Sequence, residues 1–380
     1  MATVDLALLR RTAVARSLET FGDLQSALDA LHFVQADPIR APARAQDLML
    51  RHRVPGYIAG ELEHRYESLH VEEAFFINYG FVTPSLFDLM HPRGSAASWP
   101  AKRRAQATSL LAYLAERPEA HPRDVAAHFA HGRVTNYWGG SSSATTHMLD
   151  QLHYLGLVRV VRRAAGIRLY GSRALEAARD TLTTREIDAR VDVLVDVIVR
   201  TYAPLPWSSL APLVRRLRYA VPQWRARLPQ ALARVKARLP HATVDGATYF
   251  WPPEMRLDGD VGDQVRLLAP FDPVVWDRRR FELFWGWAYR FEAYTPVSRR
   301  KLGYYALPLL WRDQVVGWSN VSVIGAEMTV ALGYVAGRPP RERAFRAALD
   351  AELERLRVFL GLARSDGAPK RKRRTRESGA

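Results

Sequence analysis

Residues 139–171 constrain the fold more than any other stretch of this chain. Their first part, GGSSSATTHMLDQLHYLG, carries serine and threonine caps and a helical apolar spacing that ends at Gly156. Their second part, LVRVVRRAAGIRLYG, alternates apolar and polar residues on both sides of an AAG turn. Together with a helical pattern over 121–133, this order predicts two helices followed by a two-stranded hairpin, the arrangement of a winged helix.

Two other stretches show the same order less clearly. Residues 4–52 predict three short helices, the second capped by Asp23 and the third running over 38–52, and residues 184–253 predict three helices and a hairpin. Residues 264–335 alternate like a small antiparallel sheet. We therefore predict a mainly helical α+β fold with winged-helix units at 1–95, 96–180 and 181–260, a β-rich segment with a closing helix at 261–362, and a disordered basic tail at 363–380.

The charge of the chain indicates a polyanionic partner. The formal net charge is +16, and the last sixteen residues hold six basic and two acidic side chains, which leaves +12 on the remainder. Such an excess is typical of proteins that bind nucleic acid. A proteome rich in arginine would raise the charge in the same way without any ligand, so charge alone does not assign a function.

Missing residue types exclude several classes of chemistry. The chain contains no cysteine, which rules out disulfides, thiol catalysis and cysteine-ligated metals. It also lacks the glycine-rich nucleotide loops, the nucleophilic-serine motif and the paired histidines of metal hydrolases. We predict no cofactor and no metal. No apolar run is long enough to span a bilayer, and we expect a cytoplasmic, nucleoid-associated monomer.

Gln35 and Asp37 form the most suggestive polar pair. In an extended chain, residues two apart project to the same side, so an amide and a carboxylate would point into one space. Such a pair could hold a water molecule and stabilise positive charge that develops on a sugar. The alternative is that Asp37 caps a helix that begins at Pro38, while Gln35 is solvated.

Several cations and carboxylates are further candidates. On the predicted helix, Arg40, Arg44 and Arg51 share a face, and Arg53 follows; they either contact DNA phosphates or form a solvated surface. Glu72 and Glu73 lie among apolar residues, where they either pair with arginines or line a pocket with His70. Near the C-terminus, cations alternate with aromatics, which suits either nucleic acid or a charged strand edge; the cations are Arg299, Arg300 and Lys301, and Tyr304 is a further candidate for the pocket.

Three segments resemble one family of proteins. VQADPIRAPARAQDLMLRHRV resembles the Q-x-D form of the catalytic motif of the AlkZ/YcaQ family of bacterial DNA glycosylases. NYWGGSSSATTHMLDQLHYLGLVRV resembles the second winged helix of that family, and residues 267–317 resemble its C-terminal segment. The resemblance runs in the same order over most of 5–360.

The resemblance implies tandem winged helices around a positively charged DNA channel. It also implies cleavage of the N-glycosidic bond of alkylated purines in double-stranded DNA, including N7-guanine interstrand crosslinks. Gln35 and Asp37 match the two polar positions of the motif. One departure is that Glu72 stands where many members have a histidine, in a pattern close to W-x-H-E-A. The competing hypothesis is a winged-helix regulator that binds DNA without catalysis.

Overall fold

The computed structural model describes residues 4–94, 98–135, 139–173 and 182–362, and the backbone of 371–373. Its first unit carries a three-stranded sheet in which the first strand pairs with the third. The elements are α1 (Leu6–Ser17), α2 (Leu24–Leu31), β1 (Phe33–Gln35), α3 (Ala45–Leu50), α4 (Glu61–His64), β2 (Glu72–Phe75), β3 (Tyr79–Val82) and α5 (Pro84–Met90). The strand order is β1-β3-β2, and both pairings are antiparallel.

The second unit confirms the predicted helices and hairpin. Its elements are α6 (Ala101–Ala115), α7 (Pro122–Phe129), β4 (Arg133–Thr135), β5 (Ser141–Ser143), α8 (Ala144–Leu155), β6 (Val158–Ala164) and β7 (Ile167–Ser172). α8 ends at Gly156, which takes the left-handed conformation that terminates helices. A single bridge between Ala120 and Tyr170 occupies the place of a first strand beside β7.

The third unit repeats the strand order of the first. Its elements are α9 (Thr184–Tyr202), β8 (Leu205–Pro206), α10 (Trp207–Arg216), α11 (Leu228–Arg238), β9 (His241–Val244) and β10 (Ala247–Phe250). The sheet runs β8-β10-β9, so a first strand again pairs with the last. The first and third units thus share a sheet in which a first strand pairs with the last; the division into three winged-helix units and the boundaries between them stay predictions.

The C-terminal segment is an antiparallel sheet interrupted by two helices that the alternating sequence did not predict. The elements are β11 (Val265–Leu267), α12 (Pro273–Trp276), α13 (Arg278–Trp285), β12 (Leu307–Trp311), β13 (Gln314–Ile324), β14 (Glu327–Tyr334) and α14 (Arg343–Phe359). Asp272 and Asp277 cap the two extra helices. A short strand β15 (Arg371–Arg373) pairs in parallel with β14, so disorder is wrong for these three residues; the rest of the predicted tail lies outside the described residues.

The predicted helix over 38–52 is also wrong. The helix of this region begins only at Ala45, with Arg44 at its N-cap. Pro42 would fall in the second turn of the predicted helix, where a proline removes a hydrogen bond and clashes with the preceding turn. The chain therefore stays irregular from Ala36 to Arg44.

Apolar residues of different units pack into shared cores. One cluster joins Leu28 and Leu48 of the first unit to Leu149 of the second and to Leu353 of α14. Another joins α1 and α5 to the third unit. Because packing crosses between the units, their relative placement is held by buried surface. Within the described residues, no helix is long and apolar enough to cross a membrane.

Candidate active site

Gln35 ends strand β1 at a point where two backbones approach closely. Its Cα partner in β3 is Gly80. A Cβ at position 80 would lie 2.4 Å from the carbonyl oxygen of Val34 and 2.9 Å from Cα of Gln35, so only glycine permits this pairing. The N–H of Ala36 donates to the carbonyl of Tyr79 at 3.1 Å, which extends the strand conformation to the edge of Asp37.

The amide of Gln35 is held in one orientation. Its Oε1 accepts from the indole Nε1 of Trp276 at 2.7 Å and from Nδ2 of Asn78 at 3.0 Å. Arg216 donates to the Oδ1 of Asn78 at 2.7 Å, which orients that amide in turn. Because both contacts are donors, they identify the oxygen end of Gln35 and leave its NH₂ end to donate elsewhere.

Asp37 does not cap a helix. Its Oδ1 accepts from the N–H of Ile39 at 2.9 Å, which is a local turn across Pro38. The residue is only 9% exposed, and burial raises the pKa of its carboxyl, although the hydrogen bond from Ile39 opposes that shift.

Asp37 lies in the wall of a cavity of about 490 Å³. The first unit contributes Asp37, Arg44, Phe75 and Tyr79, and the second unit contributes residues of α8 and of the β6–β7 hairpin: Asp150, His153, Tyr154, Arg163, Gly166 and Arg168. Gln35 is not among the lining residues, so of the predicted pair only Asp37 opens into this space.

Three of the four described arginines that line the cavity pair with carboxylates, and the fourth, Arg93, donates to backbone carbonyls. Arg163 pairs with Glu73 at 2.6 Å, Arg168 with Asp150 at 2.8 Å, and Arg44 with Glu63. Among the described residues, no cation pairs with Asp37. It is therefore a buried carboxylate whose charge is not neutralised by the protein.

Tyr79 and His153 link these pairs into one network. The hydroxyl of Tyr79 donates to Oε2 of Glu73 at 2.7 Å and lies 3.1 Å from Nε2 of His153. Burial lowers the pKa of His153 to about 3, and the nearby charge of Arg168 adds to the effect, so the imidazole is neutral at neutral pH.

The structure contradicts three of the four predicted phosphate contacts near Asp37. Arg51 and Arg53 are buried and pair with Glu352 at 2.5 Å and Asp272 at 2.8 Å, so both connect the first unit to the C-terminal segment. Arg44 is held by Glu63. The helical face that they were expected to share does not exist, because the helix starts at Ala45. Only Arg40 is exposed.

The predicted pocket formed by His70, Glu72 and Glu73 is also wrong. His70 is exposed, and none of the three lines the cavity. Glu72 pairs with Arg159 at 3.0 Å and with Arg173, and Glu73 pairs with Arg163. The alternative that these carboxylates pair with arginines is therefore confirmed, and the unusual Glu72 supports the β6–β7 hairpin.

The cationic segment near Arg299 forms a loop that Glu292 holds in place. The carboxylate of Glu292 accepts from the backbone N–H groups of Lys301, Leu302 and Gly303, which fixes the loop. Burial raises the pKa of Tyr305, and the charge of Asp37 raises it further. Tyr304 is exposed and does not line the cavity; the Arg300 guanidinium lies 5.1 Å from its ring centre.

Sequence reasoning missed the residues that hold Gln35. Asn78 had a usable signal, since it is a polar residue in the turn of an apolar hairpin, FFINYG. Trp276 and Arg216 had none, because they are 241 and 181 positions from Gln35 in the chain and meet it only through tertiary packing. In the described part of the chain, no group of three or more His, Asp or Glu could hold a metal ion.

Comparison with known proteins shows the family to which the chain belongs. A family model described as "DNA glycosylase AlkZ-like" matches residues 28–359, which is most of the chain. The protein is therefore a DNA glycosylase, and DNA is its partner. It belongs to the AlkZ-like family, which confirms the resemblance noted in the sequence and sets aside the non-catalytic regulator.

A solved structure shows the same fold. The Streptomyces sahachiroi DNA glycosylase AlkZ superposes with a TM-score of 0.59 at 15% sequence identity, over 96% of this chain and 98% of that chain. At this identity the likeness establishes the fold alone. The predicted α+β fold class is confirmed.

Proposed function

We propose that this glycosylase hydrolyses the N-glycosidic bond of alkylated purines, with N7-alkylguanine monoadducts and interstrand crosslinks as substrates. The observation that carries the proposal is Asp37, a buried carboxylate without a cationic partner among the described residues, in a cavity of about 490 Å³. A fixed negative charge in a site of low dielectric favours a cationic ligand and a cationic transition state.

The chemistry follows from the charge of an N7-alkylated purine. The C1′–N9 bond breaks with its electron pair moving to the cationic base, which leaves as a neutral purine, and positive charge develops on the sugar as an oxocarbenium ion. Asp37 stabilises that charge. A water molecule then forms the new bond to C1′ and gives its proton to Asp37, while the NH₂ of Gln35, next to the lining residue Ala36, orients that water from the edge of the cavity.

The enzyme is proposed to be monofunctional and to leave an abasic site. Strand cleavage by a glycosylase would need an amine nucleophile, and no lysine is among the described residues that line the cavity. Arg40, Arg299, Arg300, Lys301 and Tyr304 are proposed to contact the DNA around the lesion. We propose that the protein acts as a monomer on the nucleoid.

The test is a single-turnover assay on a duplex carrying one 7-methylguanine and on a second duplex carrying a nitrogen-mustard crosslink. Wild type and Asp37→Asn are compared before and after alkali, which cuts at abasic sites. We expect strand cleavage only after alkali, and a rate at least about 100-fold lower for Asp37→Asn, the scale of a lost charge-stabilising group.

Each result bears on a different part of the proposal. Cleavage without alkali would contradict the monofunctional mechanism. Equal rates for wild type and Asp37→Asn would remove Asp37 from the reaction. Excision of the monoadduct without unhooking of the crosslink would restrict the substrate to monoadducts.

A further inference from the structure

The third unit carries a cationic groove away from Asp37. The α10–α11 groove has a volume of about 790 Å³, and its rim consists of Arg215, Arg218, Arg225 and Lys236. All four side chains are exposed, and no acidic residue is among the described residues that line the groove. Four like charges on one concave surface attract a polyanion.

Cations on the side of α11 that faces α9 form ion pairs with aspartates of α9. Arg227 pairs with Asp188 at 2.5 Å, Arg234 with Asp192 at 2.8 Å, and Arg238 with the third aspartate of α9, Asp196, at 2.6 Å. Positive charge that faces α9 is thus neutralised within the fold.

Two of the groove cations, Arg218 and Lys236, have neutral contacts instead. The guanidinium of Arg218 donates to the hydroxyl of Tyr219 at 2.7 Å, and Nζ of Lys236 lies 4.3 Å from the ring centre of Trp207. Neither contact neutralises the cation. The sorting of charge between the two sides of α11 indicates that the groove cations have an external anionic partner.

The floor of the groove is apolar. Leu228, Pro229, Leu232 and the ring of Trp207 lie between the cations. A ligand that fits must carry negative charge along its edges and a less polar body. The sugar–phosphate backbone of DNA has this distribution, since its phosphates alternate with deoxyribose rings.

Residues of α10 and the turn after it connect the lining of the groove with residues beside the active site. Arg215 and Arg218 also line a neighbouring cleft that contains Trp276, the residue that donates to Gln35. The next residue, Tyr219, packs against Phe75 with ring centres 6.0 Å apart, and Phe75 lines the cavity of Asp37. The groove cations thus lie on an element that also borders residues next to Gln35 and Asp37.

We propose that the α10–α11 groove binds the sugar–phosphate backbone of duplex DNA flanking the nucleotide held at Asp37. The inference rests on the DNA glycosylase class of the protein and is independent of which base is excised. It assigns the third unit a role in holding the undamaged flank, with phosphate contacts that carry no sequence information.

The experiment compares two triple variants that lose the same charge. The groove variant is Arg215→Gln, Arg225→Gln, Lys236→Gln. The matched control is Arg341→Gln, Arg343→Gln, Arg346→Gln, at and beyond the exposed start of α14. The dissociation constant of an undamaged duplex of about 25 base pairs is measured over a series of salt concentrations, after thermal unfolding has shown that both variants fold.

Each phosphate contact contributes about 0.9 to the slope of log affinity against log salt. We therefore expect the slope of the groove variant to be lower than that of wild type by about 2 to 3, and the slope of the control to be unchanged. The single substitution Arg225→Gln should lower the slope by about 1.

An unchanged slope in the groove variant would overturn the inference. Equal losses in both triple variants would also overturn it, because the effect would then belong to net charge. The wild type could excise no alkylated base while the groove variant still shows a lower slope of log affinity against log salt. That result would reject the proposed substrate and support the proposed DNA contact in the groove.

Discussion

At the scale of single residues, Asp37 is unusual because the fold does not compensate its charge. Burial raises the pKa of its carboxyl, so the ionised form is less favourable in the folded protein than in the unfolded chain. The neutral form adds stability below the unfolded pKa, and that contribution is lost as pH rises through the folded pKa. At neutral pH the site is therefore held at a cost in stability.

The raised pKa predicts the pH dependence of excision. Because the reaction needs ionised Asp37, we expect the acid limb of the single-turnover rate to lie above the pH at which an exposed aspartate titrates. The rate of wild type on a 7-methylguanine duplex is measured over about pH 4 to pH 8. Over the same window, wild type should lose stability relative to Asp37→Asn as pH rises. An acid limb at the ordinary aspartate value would contradict the burial argument.

The orientation of Gln35 gives a second prediction for single residues. Trp276→Phe removes a 2.7 Å hydrogen bond to Oε1 of Gln35 and frees the amide to rotate. We expect a fall of about 10-fold in the single-turnover rate, the cost of about 1.4 kcal/mol in positioning, with DNA affinity unchanged.

The control for Trp276→Phe is Trp285→Phe. Its indole also donates one hydrogen bond, to the carbonyl of Asp313 at 2.8 Å, away from Gln35. Both variants should lose similar stability in urea unfolding, and only Trp276→Phe should slow excision. A rate loss in both would point to a general loss of packing.

At the scale of elements, the β6–β7 hairpin contacts the first unit through an ion pair and through its tip, and it forms part of the cavity wall. Its tip touches Arg44: a Cβ on Gly166, which has a positive φ of 86°, would lie 1.9 Å from that guanidinium. Its strand contributes Arg163 to the buried pair with Glu73. The active-site wall is thus built by contact between two units.

The Arg163–Glu73 pair predicts how strongly the hairpin is held. Glu73→Gln removes the close anion of a buried guanidinium and leaves only Glu63 at 3.6 Å, so we expect a loss of about 3 kcal/mol in the free energy of unfolding, the lower end for a broken buried pair. In a double-mutant cycle by urea unfolding, Glu73→Gln with Arg163→Met should recover most of that loss, because no buried charge remains. Additive losses would show that the two side chains are not coupled.

At the scale of the whole molecule, Arg93 joins all three units. It is 3% exposed, and its guanidinium donates to the carbonyls of Ala220 at 2.7 Å and Tyr154 at 3.1 Å, and to the carbonyl of Phe75. Burial lowers its pKa to about 10, so it stays charged at neutral pH. One side chain therefore satisfies backbone groups of the first, second and third units.

Arg93→Lys tests this junction. An ammonium cannot reach three carbonyls in the planar geometry of a guanidinium, and we expect a loss of about 3 kcal/mol in unfolding free energy, with each charged hydrogen bond contributing about 1.5 to 3 kcal/mol. Arg117→Lys, at a partly exposed position, should change stability by less than about 0.5 kcal/mol. Similar losses of unfolding free energy in both variants would show that Arg93 does not hold the three units together.

The sequence predicted local elements well where one short-range signal decided them. Asp23 caps α2, with its Oδ1 accepting from Ser26 at 2.7 Å, and Gly156 ends α8. The predicted 38–52 helix does not form because Pro42 opposes helical structure there more strongly than the apolar periodicity favours it. The α12 and α13 helices were missed because the alternating pattern of that segment was read over too long a window.

By itself, the sequence determined the helices and hairpin of residues 121–172, the family and the candidate Asp37, since caps, turns and alternation act within a few residues. Only the tertiary structure decided which charges are available. Arg53 looks like a surface cation in the sequence, yet Asp272, 219 positions away, buries it in an ion pair. Asp37 looks like a helix cap, yet the fold leaves it unpaired in a cavity. Charge compensation depends on partners distant in the chain, and no local pattern encodes them.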